Sequence, residues 1–130
     1  MKLKSIALAA ALVASSACSF ATTHNLGTVT GTVGFSATVL AGSFDDFWTF
    51  DTTSVLSSSS ITNSRVGTSN NITSFEAWLD GTALNFASNG ATKVLYIEDL
   101  PLLAGTHTLE IKGIASVGGA SYGGNVAVQA

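Results

Sequence analysis

Carboxylates and aromatic rings crowd one stretch of the chain, Phe44-Asp45-Asp46-Phe47-Trp48-Thr49-Phe50-Asp51, which holds three of the eight acids and four of the nine Phe and Trp residues. Carboxylates at that density can do general acid–base work or hold a hard cation, and exposed rings can stack on a ligand. Strand parity argues against the acid pairing. With a two-residue period Phe44, Asp46, Trp48 and Phe50 share one face, and Asp45, Phe47, Thr49 and Asp51 share the other. Asp45 and Asp46 therefore point apart, as do Glu98 and Asp99, and neither pair can flank one glycosidic bond. Asp46 is left as a carboxylate within an aromatic face, where an unpaired charge costs several kcal/mol. The pattern predicts a structural anchor, with backbone amides, hydroxyls or Arg65 as donors.

The other constellations of catalysis are missing. The sequence has no G-x-S-x-G elbow, no H-E-x-x-H and a single cysteine, Cys18. His24 and His107 read as ordinary loop or edge residues. Asp45, Asp51, Asp80 and Asp99 are available to calcium, but none falls in a D-x-[DN]-x-[DN]-G loop. No catalytic residue, metal ligand or cofactor is assigned, and the chain reads as a non-enzyme. Trp78, on one strand parity with Glu76, is the candidate for stacking on a ligand; covering the rim of the core or packing under the Ser-rich loop is the plainer role.

These residues need strands to hold them. After the N-terminus the chain is rich in Thr, Ser, Gly and Val, has one proline, and alternates apolar with polar residues. Within Leu26 to Leu40, residues Val29, Val33, Phe35, Ala37 and Val39 share a parity, which predicts two half-buried strands bent near Gly31 or Gly34. The Ser/Thr-rich segment from Thr52 to Asn71 predicts an edge strand and loops. Ile72 to Asp80 places Phe75, Ala77 and Leu79 inward, and Asp80-Gly81 is a hairpin turn signal. Thr92 to Ile97, apolar on both parities, predicts a strand covered on both faces, with a short buried helix as the alternative that the pattern alone leaves open. Thr106 to Lys112 is amphipathic, with His107, Leu109 and Ile111 on one side, and Val126 and Val128 close the pattern. The expected fold is all-β: an antiparallel β-sandwich of about 8–9 short strands with a jelly-roll-like connection, as one domain over 22–130.

Residues 1–21 read as a secretory signal-peptide helix: a basic start (Met1-Lys2-Leu3-Lys4), an apolar run from Ile6 to Val13, and Ser19-Phe20-Ala21 before the cleavage point. The run is shorter than the ~20 residues of a membrane span, so no span is expected in the mature chain. Acylation of Cys18 as a lipoprotein is the lesser alternative, since Ser15 stands where such leaders carry Leu. Cleavage after Ala21 leaves Arg65, Lys93 and Lys112 against eight acids, a formal net charge of −5. Three scattered cations make no basic patch, which excludes nucleic acid as an expected partner.

The chain resembles the FxDxF-type PEP-CTERM proteins, exported proteins of Gram-negative bacteria with exopolysaccharide-linked sorting. The resemblance is carried by the leader, by His24-Asn25-Leu26-Gly27, by Ala41-Gly42-Ser43-Phe44-Asp45-Asp46-Phe47-Trp48-Thr49-Phe50 and by Ala104-Gly105-Thr106-His107-Thr108-Leu109. The family motif falls on Phe44, Asp46 and Trp48, with Trp in the place of the last Phe. Members end in a Val-Pro-Glu-Pro-like signal, a membrane helix and a basic cluster; the sequence ends at Ala130, near where that tail would begin, which implies a tailless relative or a truncated form. The resemblance implies a periplasmic, outer-surface or extracellular setting. The leading expectation is a non-enzymatic surface or exopolysaccharide-associated matrix protein. The alternative is a carbohydrate-binding module or adhesin using outward aromatics, with polysaccharide or self-association as the partner.

Overall fold

A computed structural model describes residues 20–53, 61–68, 71–89 and 92–129. The expected leader helix, Cys18 and the Ser57 to Ser60 run lie outside the described residues. The described residues form ten strands: β1 (Phe20–Thr28), β2 (Thr32–Val39), β3 (Gly42–Thr52), β4 (Ile61–Thr68), β5 (Ile72–Leu79), β6 (Thr82–Ala83), β7 (Asn85–Asn89), β8 (Thr92–Pro101), β9 (Gly105–Ala115) and β10 (Ala120–Gln129). The all-β sandwich is as expected, with one or two strands more than the turn signals mark, because the two-residue β6 has no periodicity to read. One sheet has the order β1-β3-β9-β5-β6 and the other β2-β10-β4-β8-β7. Strands β2 to β5 alternate between the sheets and β8 to β10 return between them, which is jelly-roll order.

Three local expectations change. First, β1 runs parallel to β3, with Thr22 opposite Asp46 and His24 opposite Trp48, whereas the other strand pairs are antiparallel. The chain leaves β1 for β2 in the facing sheet and returns, and two reversals restore the direction. Gly27, at φ 74, lets the strand shift register there, and its N–H donates to Asn25 Oδ1 at 2.8 Å. Second, β4 is not an edge strand but lies between β10 and β8; its Ser and Thr content says nothing against backbone pairing on both sides. Third, β8 is covered on one face only, with Leu95 and Ile97 buried and Val94 and Tyr96 half-buried.

Elsewhere parity and burial agree. In β3 every second residue from Phe44 to Thr52 is buried. Asp80 and Gly81 both take positive φ (49 and 83), the geometry of a two-residue hairpin turn between β5 and β6. Ile72 and Phe75 are both buried despite opposite parity, because the β5 register shifts between Thr73 and Glu76, where Ser74 has φ 51. The core between the sheets gathers Phe35, Phe44, Trp48, Phe50, Phe75, Leu79, Leu95, Leu109, Ile111, Tyr122 and Val126.

Candidate functional site

The β3 stretch turns its rings inward. Phe44, Trp48 and Phe50 are buried, and Asp46, on the same face, is 3% exposed. Its partner is Tyr122 of β10 in the facing sheet: the phenol donates to Asp46 Oδ2 at 2.5 Å and accepts from Trp48 Nε1–H at 2.9 Å. One hydroxyl thus joins the two sheets and satisfies two buried groups of β3. Burial raises the Asp46 pKa above its ordinary range, against the lowering by the Tyr122 hydrogen bond. The phenol is pushed far upward by burial and by donating to a carboxylate, so it stays the donor. Phe44 stacks on Tyr122 with centroids 5.8 Å apart, and Trp48 meets Tyr122 edge-on.

Between the free edges of β1 and β2 the sandwich opens into a cleft of about 380 Å³. Val39, Leu40 and Phe44 give it an apolar wall, and Thr22, His24 and Asp46 line it with polar groups. The His24 ring stacks on Trp48, with centroids 4.0 Å apart and planes at 17°.

Trp78 lies on β5, beyond β9 from β3 and next to the β6 edge of the same sheet. It is half-buried on the outer face of β5, opposite Ala83 of β6 and Glu110 of β9, with Lys112 Nζ 5.9 Å from its ring centroid. It lines a second cleft, of about 340 Å³, where the short β6 fails to cover β7 and β8. Phe86, 66% exposed, lines the same cleft from β7 with Lys93 Nζ 4.7 Å over its ring, Glu76 joins from β5, and Leu84 and Leu95 make an apolar floor. Of these residues the sequence pattern singled out Trp78 and not Phe86.

Two polar clusters lay beyond sequence reasoning because they cross strands. Asp45 of β3 and Glu110 of β9 are diagonal neighbours on the outer face. Hydrogen bonding to Asp45 holds the Glu110 carboxyl above its usual range, with burial adding and Lys112 opposing. Asp45 Oδ1 is buried with no hydrogen-bond partner among the described residues. His107, expected in a loop or at an edge, is instead buried on the central strand β9, as its shared parity with Leu109 and Ile111 indicates. Its Nδ1 is 2.5 Å from Asp80 Oδ2 and its Nε2 is 2.7 Å from the Leu103 carbonyl oxygen, both at hydrogen-bond distance. Asp80 also accepts from the Thr108 N–H at 2.9 Å, so the pair pins the β5–β6 turn to β9.

The four Asp residues weighed for calcium are not brought together: Asp51 accepts from the Thr106 hydroxyl at 2.6 Å and Asp80 is held by His107. Among the described residues no group of three or more His, Cys, Asp or Glu side chains is placed to hold a metal ion. No helix among them is long and apolar enough to cross a membrane.

The class defined by these strands is the jelly-roll β-sandwich. No family model matches the chain, and no curated protein matches it significantly. Solved structures with a similar arrangement include the pre-peptidase C-terminal domain of a collagenase from Bacillus anthracis, at 16% identity and TM-score 0.46, over 82% of this chain and 94% of that one. A family 35 carbohydrate binding module from an environmental isolate follows at 12% identity and TM-score 0.33, over 78% of this chain and 68% of that one. The C-terminal domain of EclA, a sugar-binding protein, aligns at 8% identity and TM-score 0.36, over 78% of this chain and 79% of that one.

Proposed function

We propose that the chain is an exported β-sandwich of the cell surface or extracellular matrix that works by binding rather than catalysis, and that its contact for polysaccharide is the cleft between Trp78 and Phe86. The observation that carries this reading is the composition of that cleft: two partly exposed aromatic residues, an apolar floor, a carboxylate (Glu76) and an ammonium (Lys93) line a space of about 340 Å³. A pyranose ring presents C–H groups that pack on aromatic faces and hydroxyls that bond to charged groups, and the cleft supplies both. The exported setting is supported by the leader pattern and by the FxDxF-type PEP-CTERM resemblance at Phe44, Asp46 and Trp48, which the fold uses as core and anchor.

Retention of the protein on a panel of soluble and insoluble polysaccharides tests the reading. The expected result is retention on at least one acidic or neutral glycan, weakened at least tenfold in Trp78→Ala and in Phe86→Ala. Equal retention of the wild type and both variants removes this cleft as the contact, and no retention on any member of the panel removes the glycan reading.

A further inference from the structure

Asp46 is the one carboxylate of the core, and neither Lys93 nor Lys112 forms a salt bridge with it. The groups around it are few. Tyr122 of β10 donates to one oxygen, His24 of β1 acts on it as the nearest titratable base, and Asp45 of β3 repels it. Ile111 is its neighbour on β9, and from β2 the cleft presents Ala37, Thr38 and Val39, none of which titrates. The remaining neighbour is Thr22, paired with Asp46 across the parallel β1–β3 ladder and lining the same cleft. Thr22 is also the residue that follows the cleavage point read from Ser19-Phe20-Ala21.

We propose that removal of the leader adds a charge to this site: the α-ammonium of Thr22, created by cleavage after Ala21, is a cation placed beside Asp46 by the β1–β3 register. The inference rests on the export reading above. Water adds across the Ala21–Thr22 peptide bond; Ala21 leaves with a carboxylate, and Thr22 keeps an amine that takes up a proton near neutral pH, since an α-amino group titrates at about 7.7–8.0. Before cleavage the same nitrogen is an uncharged amide within β1. Neighbouring strands lie about 4.8 Å apart, so the new charge stands within a Debye length of roughly 8 Å from the carboxylate. It arrives on an edge strand whose first two register pairs, Phe20 with Phe44 and Ala21 with Asp45, leave with the leader. Processing thus replaces two backbone pairings by one ion pair at the mouth of the β1/β2 cleft. A precursor and a mature protein of the same fold then differ in the charge that the cleft offers a ligand.

The test uses the exported protein. N-terminal sequencing comes first: a start at Thr22 is expected, and any other start overturns this inference together with the cleavage reading. The Asp46 carboxyl is then titrated by carbon-detected NMR in the mature protein and in the same protein acetylated selectively at its α-amine. Acetylation is expected to raise the Asp46 midpoint by about one pH unit, the lower end of the effect of an opposite charge at short range. The α-amine midpoint falls correspondingly in Asp46→Asn, which keeps an acceptor for Tyr122. A start at Thr22 with unchanged midpoints in both comparisons overturns the ion pair and leaves the export reading standing.

Discussion

Replacing Tyr122 by Phe removes one oxygen and keeps the ring that packs against Phe44, Trp48 and Phe75. That oxygen serves two buried groups at once. Losing its donation to Asp46, a charge-assisted contact at 2.5 Å, costs about 1.5–3 kcal/mol, and leaving the Trp48 indole N–H without its acceptor at 2.9 Å costs about 1–3 kcal/mol. The two share one hydroxyl and do not simply add, so the expected loss is about 3 kcal/mol, a large share of the ~5–15 kcal/mol that holds a domain of this size. Urea denaturation at pH 7, followed by tryptophan fluorescence and by far-UV circular dichroism, measures it. Coincident transitions from the two probes establish two-state behaviour, and an unchanged slope assigns the shift in midpoint to stability. A loss below about 1 kcal/mol, the net worth of a single ordinary hydrogen bond, refutes the view that this phenol ties the sheets together through Asp46.

Glu110→Gln removes the acid that competes with Asp45. Glu110 has its folded-state pKa raised above the ordinary 4.5, so the wild type is unburdened below that value and loses stability as the pH rises through the folded-state one. The variant is therefore expected to gain on the wild type between pH 4.5 and pH 7, read as the difference of urea midpoints across that window. His107→Ala removes the ring that Asp80 Oδ2 bonds and leaves the Leu103 carbonyl with the Thr52 hydroxyl alone; a loss of about 2–3 kcal/mol is expected, with the amides of the β5–β6 turn losing hydrogen-exchange protection first. Gly113→Ala would set a Cβ 2.6 Å from Ile72 Cγ2 and 3.0 Å from the Phe44 ring, an overpacking worth about 1–3 kcal/mol in the same urea assay.

Period-two alternation made most of the fold legible. It placed Phe44, Asp46, Trp48 and Phe50 on one face, Phe75, Ala77 and Leu79 inward, and the turn at Asp80-Gly81, because each depends only on neighbours in sequence. Sheet membership did not follow in the same way. The parallel β1–β3 pairing and the central place of β4 are set by how distant strands meet, and backbone ladders form whatever the side chains. At the sites the division is the same. Parity showed that Asp46 needs a partner but could not select Tyr122, 76 residues further along. It separated Asp45 from Asp46 without revealing Glu110 across the sheet, and it could not show that β6 is too short to cover Phe86. Of the outward rings Trp78 was visible from sequence; its partner across the cleft was not.

The two tryptophans offer the most direct measurement of the binding claim, because the chain has only these two and they lie on opposite faces of one sheet, Trp48 turned into the core and Trp78 outward, on the two strands that flank β9. Trp48 Nε1–H is buried on Tyr122, and Trp78 is half-buried at the lip of the cleft with Phe86. A nitrogen-15 spectrum recorded while a retained polysaccharide, cut to short oligomers, is titrated in should move the Trp78 indole signal and leave that of Trp48 in place. Movement of the Trp48 signal with Trp78 unchanged contradicts the account and puts the ligand in the β1/β2 cleft instead.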